Sequence, residues 1–309
     1  MGLPHFWILR LGEMTLKSRP VRKHFQRCLE KCLLELAMQA NIDLQIENKG
    51  SLIVVSSHSE TKYVENVLQH CFGLQSVERT IPCPAIPEEV AKTALENDHN
   101  FGNSRTFGVQ TKRSGPKGEW GSQDFSGQVG FHMLENDKHL SVNLDEPEFP
   151  VRIILTKSNA WLLCEKITCP GGLPVGVQGL VMAKISSEIE MMGSWQMMRR
   201  GCRIVADQES DSELLNILAE WDSSILDPKS ATKNRSGPGR GHSSIWGKIG
   251  DVDENMLVIE NGKNTPVSSL EPLCGWNEVE LNYLGKHIRN PVENMRPSYA
   301  NDMLTSWIA

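Results

Sequence analysis

Residues 171–203 constrain the fold more than any other stretch: GGLPVGVQGLVMAKISSEIEMMGSWQMMRRGCR. A glycine-proline turn leads into the short apolar run 180–183. A loop, a Met-rich stretch and Arg199-Arg200-Gly201-Cys202 follow. Strand, loop and helix in that order predict the start of an α/β layer whose loop is placed to cradle an anion. At 185–190 that loop reads Ile185, Ser186, Ser187, Glu188, Ile189, Glu190. It has no glycine and carries two acids, so its capacity to hold phosphate decides what chemistry the chain can perform.

The 309 residues suffice for two or three domains, and 39% apolar residues supply real cores. The net charge of -6 gives no global sign of nucleic-acid binding, so any such signal has to be local. Eight cysteines are scattered without a Cys-x-x-Cys pair, which points to reduced, buried thiols rather than a zinc knuckle or redox pair. No metal site and no catalytic residue are expected. No apolar run approaches the ~20 residues of a membrane span, and the N-terminus lacks a signal-peptide layout. A cytoplasmic chain without a membrane partner is the expectation.

In order, residues 6–11 predict a strand, and Ser18 with Pro20 predicts a helix start. Val21, Phe25, Cys28, Leu29, Cys32, Leu33 and Leu36 then form one helical stripe. Strands at 52–55 and 74–80 and a helix at 60–71 complete a ferredoxin-like order. Pro82, Pro84 and Pro87 punctuate the chain and predict a boundary. A second α/β unit follows: helices at 88–95 and 124–134, with strands around 106–112, 142–144, 151–155 and 161–165. Beyond residue 171 the spacing predicts a strand at 180–183, a helix at 191–198, a strand at 204–205 and a helix over 214–221. A last strand is predicted at 256–259 and a last helix at 276–288.

Three basic stretches interrupt the acidic background. Between Arg10 and Lys31, seven cations face only Glu13 and Glu30. Lys112, Arg113 and Lys117 lie in a turn with no acid before Glu119. The insert 228–250 carries Lys229, Lys233, Arg235, Arg240 and Lys248 without an acid. Each reads either as a solvated surface or as a contact for phosphates. Met191, Met192, Met197 and Met198 read either as core or as a partner surface.

Taken together the motifs are specific. Ile8-Leu9-Arg10-Leu11-Gly12-Glu13 followed by Leu16-Lys17-Ser18-Arg19 resembles the opening of the tRNA 4-thiouridine synthetase family, also known as the thiamine-biosynthesis sulfurtransferases. Thr111-Lys112-Arg113-Ser114, and Glu165-Lys166 through Gly171-Gly172-Leu173-Pro174-Val175-Gly176, resemble its THUMP domain and the exit from it. Met197-Met198-Arg199-Arg200-Gly201-Cys202 resembles the helix after its nucleotide loop. Pro266-Val267 and Glu271-Pro272-Leu273-Cys274-Gly275-Trp276 resemble a late catalytic segment. The match is strong over the first two-thirds and partial over the last third.

The resemblance implies an α/β and α+β multidomain chain. Its parts are a ferredoxin-like domain at 1–80, a THUMP domain at 81–170 and a truncated, Rossmann-like PP-loop ATP-pyrophosphatase domain at 171–309. In that family the first two domains bind tRNA and the third adenylates a uridine, after which a donor supplies persulfide sulfur. The implied RNA surface is Lys17, Arg19, Arg22 and Lys23 with Lys112 and Arg113. The family's loop pattern, Ser-Gly-Gly-x-Asp-Ser, falls on residues 185–190, where none of its five fixed residues stands. Its Cys-x-x-Cys is also missing between Gly201 and Pro266. Glycines let backbone N–H groups close around phosphate, and two carboxylates repel it. The expectation is a tRNA-binding relative with a degenerate nucleotide loop, no cofactor, and a sulfur-donor or tRNA-modifying protein as further partner. Two alternatives stand beside it: an active tRNA sulfurtransferase using ATP and magnesium, and an interaction module without RNA.

Overall fold

The computed structural model describes residues 3–12, 18–49, 52–116, 118–227, 245–250, 257–260 and 263–294. The first part of the chain runs β1 (His5–Leu11), α1 (Arg19–Gln39), β2 (Gln45–Lys49), β3 (Leu52–Ser57), α2 (Thr61–Gln69) and β4 (Leu74–Pro84). Next come α3 (Pro87–Glu96), β5 (Arg105–Arg113), α4 (Ser122–Asn136), β6 (Leu140–Val142), β7 (Phe149–Leu155) and β8 (Asn159–Thr168). The rest comprises β9 (Leu180–Ala183), α5 (Glu188–Arg199), β10 (Arg203–Ala206), α6 (Ser212–Ala219), a 3-10 turn (Ser223–Leu226), β11 (Ile245–Ile249), β12 (Leu257–Glu260), β13 (Lys263–Pro266), β14 (Ser268–Leu270) and α7 (Glu278–Arg289). Two compact units result, and they interleave along the chain. Unit one holds residues 1–9, 45–58 and 77–167; unit two holds 10–44, 59–76 and 168–309.

Unit one is built on a sheet of order β2-β3-β1-β4-β8-β7-β5-β6. The first four strands, with α1 and α2 between them in sequence, follow the split βαβ order of a ferredoxin-like unit. The run Val151-Arg152-Ile153-Ile154-Leu155 is nearly all apolar because both sheet faces are covered there. Ile153 and Leu155 pack with Val90, Phe107, Phe125 and Val129, while Ile154 joins Ile8, Val54 and Trp161. Side chains alternate with period two, so adjacent residues feed opposite cores. At about 1.5–3 kcal/mol for each fully buried large apolar side chain, these two clusters carry the unit.

Unit two contains the parallel sheet β10-β9-β11-β14. Helix α5 lies in its core. Every residue from Met191 to Met198 is buried, as expected for a helix packed on all sides. Trp195 stacks edge-on against Phe72 at 5.3 Å and Trp221 at 5.2 Å. The Trp221 indole N–H donates to the Ile288 carbonyl at 3.0 Å. The four methionines are therefore core, and the reading of them as a partner surface falls away.

Several local expectations need correction. β2, sequence QIENK, escaped sequence reading because it is polar and mostly exposed, at the end of the sheet. β4 continues through Pro82 to Pro84, with the two prolines exposed on either side of buried Cys83; proline is tolerated in a strand where no ladder N–H is required. Leu144 lies outside β6 and is 76% exposed. Val21 leaves the α1 stripe and is exposed. Cys274, expected to be buried with the other cysteines, is exposed. The end of the glycine-rich insert is β11, an inner strand of the parallel sheet; residues 228–244 lie outside the described residues.

Candidate anion loop and basic surfaces

In an open parallel sheet, ligands bind beyond the C-terminal ends of the strands, where the strand order reverses. β9 is such a point, with β10 on one side and β11 on the other. The loop 184–187 leaves its C-terminal end and leads into α5. Ile185 is fully buried and anchors the loop. Its N–H donates to Ser210 Oγ at 3.0 Å, and its carbonyl accepts the Asp211 N–H at 2.7 Å. Lys184 pairs with Glu209 of the same neighbouring loop.

The N-terminus of α5 carries the positive end of a helix dipole, roughly half a charge, and so favours an anion. That anion is the chain's own Glu190. Its Oε2 accepts the Ser186 N–H at 2.8 Å, the Ser186 hydroxyl at 2.8 Å and the Ser187 hydroxyl at 3.2 Å. In return, the Glu190 N–H donates to Ser187 Oγ at 3.4 Å. This is a capping box displaced by one residue, since the carboxylate reaches the N–H before the N-cap rather than that of the N-cap itself. Burial pushes the Glu190 carboxyl up, but the donors of Ser186 and Ser187 together outweigh it and hold the group below its usual range. Glu188 turns away and pairs with Arg289 of α7 on the surface. Ile189 is 51% exposed. The two acids expected to crowd the loop thus have different roles: one fills it, the other joins two helices.

The predicted basic residues divide between the units. Arg19, Arg22 and Lys23 are exposed on the first turns of α1, in unit two. Their spacing of three and four places them on one helix face. No acid occupies the first turn of α1, so these cations stand against the positive end of the dipole, where an anion would relieve the repulsion. Lys17 lies outside the described residues. Lys112 is exposed on β5, in unit one. Arg113 beside it is partly buried and turns onto the 113–120 turn, donating to the carbonyls of Pro116 (3.4 Å) and Trp120.

Among the described residues, no cluster of His, Cys, Asp and Glu could hold a metal ion, and no helix is long and apolar enough to cross a membrane. Burial pushes the Cys202 thiol up to about 12, against the opposing charge of Arg200. A thiol held protonated in this way is a poor nucleophile.

Sequence reading missed a pocket of about 360 Å³ at the other end of α5, shared by Arg199, Arg200, Leu173, Gln178 and Trp246. The turn 171–179 closes onto the helix end there. The Leu173 N–H donates to the Arg199 carbonyl, and the Gly176 and Gln178 N–H groups donate to the Gly201 carbonyl, each at 2.9 Å. Gly172 (φ +74°) permits this approach, because a Cβ on it would lie 2.1 Å from the Arg199 carbonyl oxygen. The glycines of 171–179 were visible in the sequence; their convergence with Trp246 was not.

Comparison with known proteins adds two domain assignments. The family described as ThiI ferredoxin-like domain matches residues 6–77, and the family described as THUMP domain matches residues 88–165. The chain is 27% identical over 238 residues to a probable tRNA sulfurtransferase of Methanocaldococcus jannaschii, covering 71% of this chain and 61% of that protein. It is 30% identical over 206 residues to one of Thermococcus kodakarensis, covering 64% and 53%. The chain thus spans between half and two-thirds of the length of these relatives. In fold it is similar to PH1313 from Pyrococcus horikoshii Ot3, with a TM-score of 0.68 and 22% identity over 92% of this chain and 99% of that one. A 4-thiouridine synthetase crystallised with RNA and bound ATP aligns with a TM-score of 0.66 and 21% identity, covering 93% and 85%.

Proposed function

Because the chain belongs to the tRNA 4-thiouridine synthetase family of sulfurtransferases, we propose that it binds tRNA and serves tRNA thiolation without adenylating tRNA itself. In this reading residues 1–80 and 81–170 form the RNA-binding domains, and residues 171–309 keep the fold of an ATP-pyrophosphatase with a closed loop. The observation that carries it is the Glu190 carboxylate, seated on the donors of Ser186 and Ser187 where a phosphate would have to sit. A triphosphate entering the loop would displace those bonds and meet the same negative charge. Replacing charge-assisted bonds costs about 1.5–3 kcal/mol each before any repulsion is counted.

The RNA surface follows from charge and exposure. Arg19, Arg22 and Lys23 offer an acid-free helix end, and Lys112 offers an exposed cation on β5. Arg113 shapes the turn beside Lys112 through its carbonyl bonds. Such contacts position a folded RNA without reading its bases. A sulfur donor or tRNA-modifying enzyme is the implied protein partner. Filter binding of unmodified tRNA, with equilibrium dialysis of magnesium-ATP in parallel, tests the proposal. Salt-sensitive tRNA binding with weak ATP binding supports it, and tight magnesium-dependent ATP binding sinks it.

One observation favours a second reading. The relatives are named tRNA sulfurtransferases, so an active enzyme with an altered loop would form 4-thiouridine in tRNA from ATP and a persulfide donor. Pyrophosphate release that depends on tRNA separates the two.

A further inference from the structure

We propose that unit two carries a second RNA contact, in which Trp246 stacks one base of an unpaired segment and Arg200 takes the adjoining phosphate. The proposal rests on the tRNA-binding reading and concerns a different place from the Glu190 loop. Arg200 follows the last residue of α5 while Glu188 opens it; twelve helical residues at 1.5 Å each separate the two by about 18 Å. Leu180, Arg203 and Ile245 begin their strands at the pocket end of the sheet. The pocket is therefore on the edge opposite the ancestral nucleotide loop.

Three features make it a site for a base with a phosphate. Its volume of about 360 Å³ falls within the range of small-ligand sites. Trp246 is 36% exposed yet fixed, because its indole N–H donates to the Gln178 carbonyl at 2.9 Å. Gln178 is in turn bonded to Gly201, so the ring and the end of α5 form one preorganised platform, and its stacking costs little entropy. Among the described residues that line it the charge is of one sign: Arg199 is turned inward onto the Pro170 carbonyl at 2.9 Å, Arg200 is exposed, and none is a carboxylate. An exposed indole beside a guanidinium is the pairing with which proteins hold single-stranded nucleic acid.

The same chemistry would accept a free nucleotide, so the test separates the two sources. The full chain is titrated by fluorescence anisotropy with a labelled single-stranded RNA pentamer of uridine and adenosine, with intact tRNA measured in parallel. Trp246→Ala is expected to weaken pentamer binding about 5- to 150-fold, and Trp246→Phe to retain most of it. Arg200→Ala is expected to lower the slope of log affinity against log salt by about 0.7. Wild-type failure to bind the pentamer overturns the inference, as does wild-type-like binding by both Trp246→Ala and Arg200→Ala. Uridine monophosphate competing as well as unlabelled pentamer overturns it in favour of a free nucleotide. If tRNA binds but the pentamer result is negative, only this inference fails; if the pentamer binds through Trp246 and tRNA does not, only the tRNA reading fails.

Discussion

The Glu190 carboxylate accepts the backbone N–H of Ser186 at 2.8 Å, four residues back in sequence and across the start of α5. Through this bond the chain supplies its own anion to a loop of the kind that elsewhere holds phosphate. One contact thus ties the start of α5 together and, on the proposed reading, also closes the loop to nucleotides.

Replacing Glu190 with Gln should cost about 1 kcal/mol, the usual range for losing a helix cap. The effect depends on pH in a defined sense. The folded-state carboxyl is held below its ordinary range, so its contribution is present above the unfolded pKa and is lost as pH falls through the folded one. Urea denaturation of both proteins at neutral and acidic pH should show the gap closing in acid. An equal gap at both pH values would contradict the assignment.

Removing the carboxylate also frees its donors. Glu190→Ala should acquire weak inorganic phosphate binding at the N-terminus of α5, visible as a rise in Tm with phosphate that wild type lacks. Chemical-shift changes at the Ser186 and Ser187 amides would report the same event. Identical responses from the two proteins would mean that Glu190 does not guard the loop.

On the RNA side, alanine at Arg19, Arg22 or Lys23 should weaken tRNA binding for all sequences alike. Each lost phosphate contact should lower the salt slope by about 0.7–0.9. Lys112→Glu should act in the same direction and more strongly, because it adds repulsion. Binding unaffected by all four changes would remove RNA from these surfaces.

Glycine substitutions separate tight from open backbone. Gly172→Ala should destabilise the protein by more than about 2 kcal/mol, since φ is +74° and the new Cβ would collide with the Arg199 carbonyl. Gly127→Ala lies inside α4 with nothing within 4 Å of the added Cβ, and should stabilise by up to about 1 kcal/mol. Thermal melts of the two variants check both signs.

The sequence made some of this legible and hid the rest for physical reasons. α5 and β9 announced themselves by an apolar run and a Met-rich stretch, and Gly201 marked where the helix stops. β2 and β11 did not, because QIENK is polar and IWGKI sits at the end of a glycine-serine tract. At the loop, the acids were visible but only half understood. Ser187 and Glu190 stand at the spacing of a capping box, which in sequence already signals a carboxylate folded back on its own helix. Their repulsion for phosphate was read from charge, whereas the bonds that seat Glu190 there required coordinates. The Trp246 pocket draws on residues far apart in sequence, and no local pattern joins them.

Pyrophosphate release in the presence of tRNA, magnesium-ATP and a persulfide donor tests the central claim most directly. The closed loop predicts release no faster than without the protein, under conditions where tRNA binding is saturated. Release that requires tRNA and rises with protein concentration would contradict it and establish adenylation by this chain.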